Sequence, residues 1–178
     1  MTNAILTTEP GASLATKFIT LKSATGSKLG KHADGSISYS VTCDRERKAL
    51  FIAITDNSSG GYFSREYVSL DRIQELVVQL NRAAFPSKAL KAAFTGKSSN
   101  NAGFLAAVLR AEGLLKHAPD NDAKHVMAND WGDWKTALLA QEGGPAGMGS
   151  PLAQAVDSSV TLEKNKTATV SRQASRSR

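Results

Sequence analysis

A change in the spacing of apolar residues between Ser36 and Ala84 constrains the fold of this chain more than any other feature. From Ile37 to Cys43 every second residue is apolar, which is the two-residue period of a strand with one buried face. After the charged turn Arg45–Lys48, the apolar run Ala49–Thr55 is typical of a partner strand. Beyond Ser69 the apolar residues recur with helical spacing. The stretch therefore predicts an antiparallel hairpin followed, after a Gly-rich excursion, by an amphipathic helix.

Segments on either side extend this unit. The apolar stretch Ala15–Ala24 predicts a first strand, and Gly26–Gly35 is typical of a flexible basic loop. Tyr62–Leu70 predicts a further strand. We expect Ser69 to cap the helix, which should end before Pro86 because the residue ahead of a proline avoids helical angles.

The second half of the ordered chain is predicted to be helical from Ser87 onward. The spacing predicts a short helix over Lys88–Phe94 and a longer one over Ala102–Lys116. Asp120 or Asn121 is expected to cap another helix that runs through Met127. A last short helix holds four large apolar residues at helical spacing: Trp131, Trp134, Leu138 and Leu139.

Composition divides the chain into three parts. Residues 1–15 are predicted to be a flexible leader, residues 16–141 a single α+β domain, and residues 142–178 a disordered basic tail. The tail holds too few apolar residues to offset the entropy of ordering. The predicted fold class is thus α+β: an antiparallel sheet of three or four strands, followed by a helical half and a disordered basic tail.

The balance of charges directs the functional prediction. The 178 residues include 22 Lys and Arg against 16 Asp and Glu, a formal net charge of +6. Such a balance favours polyanionic partners, because each neutralised phosphate releases counterions. Cys43 is the only cysteine, which excludes an internal disulfide and a Cys-based zinc site. No apolar run approaches the ~20 residues that span a bilayer, and no secretory signal is evident, so we expect a cytoplasmic protein without a membrane partner.

No motif for catalysis or metal binding is complete. Gly96–Ser98 is similar to the end of a phosphate-binding loop, but Lys91 stands where that motif needs a glycine. Four potential metal ligands lie close together without a recognised spacing: His117, Asp120, Asp122 and His125. Two histidines in a polar segment are more often solvated than metal-bound. We therefore predict neither an enzyme nor a cofactor or metal site.

Three segments follow one another in the order strand, charged turn, strand, Gly-containing loop, strand, helix. They are Ser38–Thr42, Ala49–Ile54 and Tyr67–Ile73. In this order they resemble the single-stranded-DNA-binding domain of the transcriptional coactivator positive cofactor four. The resemblance implies a curved antiparallel sheet, a helix-mediated dimer and binding of separated strands. The chain departs from that family at Ser64-Arg65, which replaces a Lys-Gly pair before the last strand. It also adds a second half that is predicted to be helical.

The functional prediction is a nucleic-acid-binding protein without catalysis, for single-stranded DNA or with low sequence specificity, and with a homodimer as the expected assembly. Binding of single strands needs a cationic groove and exposed rings. The candidate binding residues are Arg45, Arg47, Lys48, Tyr62, Phe63, Arg65, Tyr67, Lys97, Arg172, Arg176 and Arg178.

Two other interpretations remain open. In the first, the rings at these positions pack against the helix, and the cations form an ordinary solvated surface. In the second, the chain is a structural or assembly protein of a phage or another multi-subunit particle, and self-associates through a sheet edge or through the helix after Ser69.

Overall fold

A computed structural model describes residues 17–30, 34–80 and 83–145, and it confirms an α+β fold. The strands of this part are β1 Phe18–Ser27, β2 Ser36–Asp44, β3 Leu50–Asn57, β4 Val68–Ser69, β5 Phe85–Pro86, β6 Leu115–Ala118, β7 Asn121–Met127 and β8 Gly144–Pro145. Its helices are α1 Leu70–Gln79, α2 Asn101–Ala111 and α3 Trp131–Leu139, with a 3-10 helix over Ser87–Ala93.

The larger sheet contains the predicted hairpin. Strands β4, β3, β2 and β1 are neighbours in that order and pair antiparallel, which confirms the prediction of three or four strands. The pairing of β1 with β2 runs from Phe18 opposite Asp44 to Ser27 opposite Ser36. The two-residue strand β8 pairs with the outer edge of β1, so the sheet extends to residue 145. Residues 146–178, which include Arg172, Arg176 and Arg178, lie outside the described residues.

Helices cover the face of the sheet that carries the alternating apolar residues of β2. Helices α1 and α2 and the 3-10 helix pack here into one core with the strands. Its buried side chains include Val41 and Ile52 from neighbouring strands, Ile73 from α1, Leu90 from the 3-10 helix and Leu105 from α2. Each such side chain contributes about 1.5–3 kcal/mol when fully buried, so this layer supplies most of the stabilisation.

Helix α1 begins where the sequence predicts. Ser69 has extended backbone angles, and its hydroxyl oxygen accepts a hydrogen bond from the backbone N–H of Arg72 at 3.5 Å. Asp71 lies in the first turn, where a negative charge stabilises the positive end of the helix dipole. The helix ends at Gln79, before Pro86 as predicted.

The predicted strand over Tyr62–Leu70 is wrong except at β4. Gly60 and Gly61 have φ of 71° and 89°, a left-handed conformation that turns the chain away from β3. The segment after them bonds to side chains instead of to a strand, because the N–H of Ser64 donates to Asn101 Oδ1 at 2.9 Å. The side chain of Asn101, the first residue of α2, therefore replaces a hydrogen bond of a sheet here.

The predicted helix ending at Met127 is also wrong, because this segment forms the β6–β7 hairpin. Helix α2 ends before it, since Gly113 has φ of 71° and its N–H donates back to the carbonyl of Arg110. The turn between the strands is made by residues 119 and 120. Strand β7 buries a single residue completely, His125, so the segment has no apolar stripe with which a helix could pack. The order in this second sheet is β5-β7-β6.

A buried carboxylate ties three elements together. Glu112, at the end of α2, accepts hydrogen bonds from the hydroxyl of Tyr39 at 2.5 Å and from the indole N–H of Trp134 at 3.2 Å. Lys22 completes the cluster with an ion pair at 2.9 Å to a carboxylate that is only 2% exposed. Burial, followed by the hydrogen bond and the charge of Glu112, raises the pKa of Tyr39. Tyr39 is therefore a structural residue of the core.

Among the described helices, none is long and apolar enough to cross a membrane.

Candidate nucleic-acid interface

The β2–β3 turn holds three of the predicted binding residues, and its hydrogen bonds and ion pairs are clearest at Arg47 and Lys48. The guanidinium of Arg47 donates to the carbonyl of Leu139 at 2.6 Å and to that of Gln141 at 2.7 and 2.8 Å. Lys48 forms an exposed ion pair with Glu46 at 2.7 Å, and Arg45 is exposed. Arg47 thereby joins the turn to the carbonyl end of α3, where a cation is favourable.

The ring of Tyr67 lies beside the same end of the sheet and is also engaged. It stacks on Phe18 with 4.5 Å between ring centroids and 21° between planes. Phe18 in turn meets the edge of Phe51 at 4.9 Å. Since one face of Tyr67 is covered by Phe18, this ring packs against the sheet.

At the opposite end of β3, two cations and three rings lie in a row. Lys28 Nζ lies 5.6 Å from the centroid of the Phe104 ring. Phe104 meets Phe63 at 6.2 Å with 65° between the planes, and the guanidinium carbon of Arg65 lies 5.2 Å from the Phe63 centroid. Tyr62, next to Phe63, is 77% exposed. We call these five residues the cation–ring row: Lys28, Phe104, Phe63, Arg65 and Tyr62.

A carboxylate fixes the loop that carries three of these five residues. Glu66 accepts hydrogen bonds from the hydroxyl of Ser64 at 2.7 Å and from the N–H groups of Thr95 and Gly96 at 3.0 Å each. Burial acts to raise the pKa of Glu66, but these hydrogen bonds outweigh it and the pKa is lowered. A side chain at Gly96 would place its Cβ 2.8 Å from Ser64 Oγ, so the close approach requires glycine.

The same junction brings Lys97 towards the row. The carbonyl of Tyr62 accepts hydrogen bonds from Ser98 Oγ at 2.7 Å and from Asn100 Nδ2 at 3.0 Å. Lys97, beside Ser98, is exposed. Four predicted residues, Tyr62, Phe63, Arg65 and Lys97, are therefore brought to one region.

Lys28, the first residue after β1, joins the row because the end of this strand comes unusually close to α2. A Cβ atom on Gly26 would lie 2.9 Å from Ala111 Cβ, so only glycine permits this contact without a shift of the neighbours. Two residues later Lys28 reaches Phe104 of the same helix, and its ammonium also donates to the hydroxyl of Ser59. In the described part of the chain, no carboxylate pairs with Lys28, Arg65 or Lys97.

A cleft of about 880 Å³ continues from Lys28 towards the β6–β7 hairpin. Its lining includes Lys28, Ser87, Arg110, His117, Asp122 and His125. Arg110 is the central cation, and its Nε donates to His125 Nδ1 at 2.9 Å. Its terminal nitrogens contact the ring of His117 at 2.6 Å and the carbonyls of Asp122 and Lys124 at 3.3 and 3.1 Å.

The state of His125 decides what this cleft can do chemically. Burial, then the charges of Arg110 and His117, lowers the pKa of His125 to about 4. Because Nδ1 accepts from Arg110, the neutral ring carries its proton on Nε2 and donates it to Ser87 Oγ, 2.7 Å away. A nucleophilic serine needs an acceptor at that nitrogen, and a carboxylate, not a cation, behind the ring. As placed, Ser87 and His125 form a structural pair.

The potential metal ligands of this region are not arranged around a common point. His117 Nδ1 lies 3.9 Å from the carboxylate of Asp122, and His125 is turned towards Ser87 and Arg110. No group of three or more His, Cys, Asp or Glu side chains in the described ranges is placed to hold a metal ion.

Sequence reasoning missed three residues of this surface: Lys28, Phe104 and Arg110. Phe104 and Arg110 lie in a helix whose apolar pattern is dominated by core positions, so neither stands out. Lys28 falls in the segment predicted to be a flexible basic loop. The glycine at position 26 was the available signal, since an isolated glycine in a strand often marks a close backbone approach.

Comparison with known proteins adds no relative. No protein-family model matches the chain, and no curated protein or solved structure is significantly similar to it. The resemblance to the positive cofactor four domain accordingly stays a prediction.

Proposed function

We propose that this chain is a non-catalytic, cytoplasmic protein that binds single-stranded nucleic acid along the cation–ring row and Lys97. The grouping of two cations with the exposed ring of Tyr62 and the half-buried rings of Phe63 and Phe104 is the observation that carries the proposal. Bases stack on aromatic side chains without regard to sequence, while Lys and Arg neutralise the phosphates between them.

The cations of the row support this proposal because they are not paired with carboxylates, and this matters more than how many cations there are. Lys28 and Arg65 lie over ring faces, and the described residues offer neither of them a carboxylate. A phosphate that meets these side chains replaces water, and no internal ion pair has to break. Lys97 also has no carboxylate partner among the described residues, so a phosphate can approach it without breaking an ion pair. The proposed site therefore has an available positive potential. In the β2–β3 turn, Glu46 offsets the charge of Lys48, and the carbonyls of Leu139 and Gln141 occupy the donors of Arg47.

A salt titration with two charge-matched variants tests the proposal. Arg65→Gln/Lys97→Gln removes two charges from the proposed site, and Arg45→Gln/Lys48→Gln removes two from the opposite end of β3. Binding of a fluorescent oligo-dT is measured by anisotropy from low to physiological salt. For single strands each phosphate contact contributes about 0.7 to the slope of log K against log salt, so the first variant should lower the slope by about 1.4.

The control variant separates a site from general attraction. We expect Arg45→Gln/Lys48→Gln to leave the slope and the affinity close to those of the parent protein. Equal losses in both variants would show that the net charge alone attracts the oligonucleotide. Absence of binding at low salt would refute the proposal altogether.

The outer edge of β1 favours self-association as a second candidate function. Only Ile19 and Thr20 have partners on that side, in β8, so among the described residues the edge from 21 to 27 has no strand beside it. An open edge can pair with a second copy and form a dimer. Lys22, engaged with Glu112, lies on the same strand.

Light scattering of the parent protein and of Thr25→Lys tests the second candidate, because an added charge on an edge strand opposes pairing between copies. A dimer that becomes a monomer in the variant supports edge pairing. A monomer in both refutes it and leaves nucleic-acid binding as the proposed function.

A further inference from the structure

We infer that the cleft around Arg110 receives the terminal phosphate monoester of a strand that lies along the cation–ring row. This inference rests on the proposed function and assigns one end of the bound strand. Three residues of the cleft, His117, Asp122 and His125, are ones that the sequence analysis considered only as metal ligands. The lining of the cleft comes from the segment after β1, the 3-10 helix, α2, β6 and β7.

Arg110 is a charged group without an ion pair, because among the described residues no carboxylate lies within ion-pair distance of it. Its polar contacts are the ring of His125, the ring of His117 and two backbone carbonyls. The charge of the exposed Asp122 acts on the guanidinium from a longer distance. A guanidinium held this way is positioned by its Nε and keeps a net positive charge for an anion. A phosphate that reaches the planar fork would accept from the terminal nitrogens in place of their exposed contacts with His117 and the two carbonyls.

The buried ring behind Arg110 keeps the guanidinium in place at neutral pH. His125 is 2% exposed and accepts from Nε, while Ser87 occupies its other nitrogen. The imidazole cannot rotate without losing one of these bonds. The cation is therefore preorganised, which reduces the conformational cost of binding an anion.

The position of Lys28 links the cleft to the row. Its ammonium lies over Phe104, the end of the row, and its side chain also lines the cleft. A strand whose bases stack along the row would bring its end to this point. A terminal monoester carries nearly two negative charges and three free oxygens, whereas an internal diester carries one charge and continues into sugar on both sides. A cleft bounded by the β6–β7 hairpin suits the terminal group better.

Asp122 supplies an internal test of the charge argument. Its side chain is 97% exposed at the cleft, and its carboxylate lies 3.9 Å from His117 Nδ1. A carboxylate at this place repels an incoming phosphate. Replacement by asparagine keeps the shape and removes the charge, with little consequence for the fold because the side chain is exposed.

The experiment compares oligo-dT of one length with a 5′-phosphate, with a 3′-phosphate, or with hydroxyl groups at both ends, on the full chain. We expect one phosphorylated end to raise the affinity roughly tenfold over the hydroxyl form, as one good charge-assisted pair would. Arg110→Gln should abolish that preference, and Asp122→Asn should increase it about threefold. Lys116→Gln is the matched control, because Lys116 precedes His117 on β6 but lines a different depression.

The outcomes separate the two proposals. Equal affinity for phosphorylated and hydroxyl ends, with binding retained, overturns the terminal-phosphate inference and leaves the proposed function intact. Failure of every oligonucleotide to bind overturns both. A preference that Lys116→Gln reduces as much as Arg110→Gln, or that Asp122→Asn does not change, overturns the assignment to this cleft. Should Arg110→Gln unfold, Asp122→Asn and Lys116→Gln still decide the question.

Discussion

The β2–β3 turn and the cation–ring row lie at opposite ends of the same strand and use their positive charges differently. Strand β3 has eight residues, and at about 3.3 Å per residue its ends are roughly 23 Å apart. In the turn, Arg47 binds carbonyls of the α3 end and Lys48 binds Glu46. In the row, Lys28 and Arg65 lie over rings. Cations that are neighbours in sequence thus serve the fold, and those brought together from distant positions remain available to a ligand.

The largest expected effect concerns the buried histidine at the row's end of the molecule. His125 has a pKa of about 4 in the folded protein, below its ordinary value of 6.5. Between these two pH values the unfolded chain therefore binds a proton at His125 while the folded protein does not. The contribution of neutral His125 to the free energy of unfolding is fully present above pH 6.5 and falls as the pH approaches 4. The difference of about 2.5 pH units corresponds to a loss of about 3 kcal/mol.

Urea unfolding at pH 7, 5 and 4 measures this loss, and His125→Gln is the control because glutamine does not titrate. We expect the variant to be less stable at pH 7 but to lose little more on acidification to pH 4. An equal loss of stability on acidification in the parent protein and in His125→Gln would place the titrating group elsewhere. In the turn, hydrogen bonds from the Ala49 and Lys48 N–H groups outweigh burial and hold the pKa of Asp44 below its usual 3.8. Protonation of Asp44 therefore weakens the fold only in more acidic solution.

The second effect tests whether the turn is structural. Arg47→Ala removes the hydrogen bonds to Leu139 and Gln141 and should lower the free energy of unfolding by about 2 kcal/mol, since a bond from a charged donor contributes about 1.5–3 kcal/mol. The backbone at this position has φ of 55°, and alanine meets the same strain as arginine, so the change reports the side chain. Arg47→Lys should recover part of the loss, because it keeps the charge but not the planar fork.

A change of stability without a change of oligonucleotide affinity is the expected result for Arg47→Ala. Thermal and urea unfolding give the first quantity, and anisotropy at a temperature where the variant is folded gives the second. The comparison between turn and row fails if this variant keeps its stability and loses affinity.

The sequence predicts the parts of this fold whose information is local. The alternation over Ile37–Cys43 and the cap at Ser69 predict the hairpin and the start of α1, and both are confirmed. The β6–β7 hairpin was not predictable in the same way. His125 is buried because Ser87 and Arg110 bind it, and these partners lie on other elements. A polar segment gains its place in a sheet from such contacts, which no local pattern records.

The candidate site shows the same limit. Tyr62, Phe63 and Arg65 are neighbours in sequence, and their grouping was predicted. Lys28 and Phe104 join them only because β1 crosses α2 at Gly26. Three of the five residues of the row could thus be predicted from local composition, and the other two depend on a tertiary contact.

The third effect distinguishes the exposed Tyr62 from Tyr67, whose ring is stacked on the fold. Tyr62 is 77% exposed, so Tyr62→Ala should leave the melting temperature within about 1 °C, in keeping with the small effects of surface substitutions. Loss of one base–ring stack should reduce oligo-dT affinity about fivefold, the lower end of the range for such contacts. Tyr67→Ala should do the reverse, because its ring packs on Phe18. Equal affinity losses in the two variants would contradict the assignment of the row.

The smallest effect is expected at the exposed ion pair of the turn. The side chains of Lys48 and Glu46 are 75% and 69% exposed, and pairs of this kind contribute about 0.2–1 kcal/mol at most, less in salt. Lys48→Gln should therefore change the free energy of unfolding by less than about 0.5 kcal/mol, and raising the salt concentration should remove even that difference. Urea unfolding at low and high salt measures it, with Glu46→Gln as the partner variant. Since a cation paired with a carboxylate offers a phosphate little net charge, Glu46→Gln should also raise oligo-dT affinity at low salt if any part of the turn touches the strand. An unchanged affinity in that variant places the bound strand away from the turn, and an increase would extend the interface along the full length of β3.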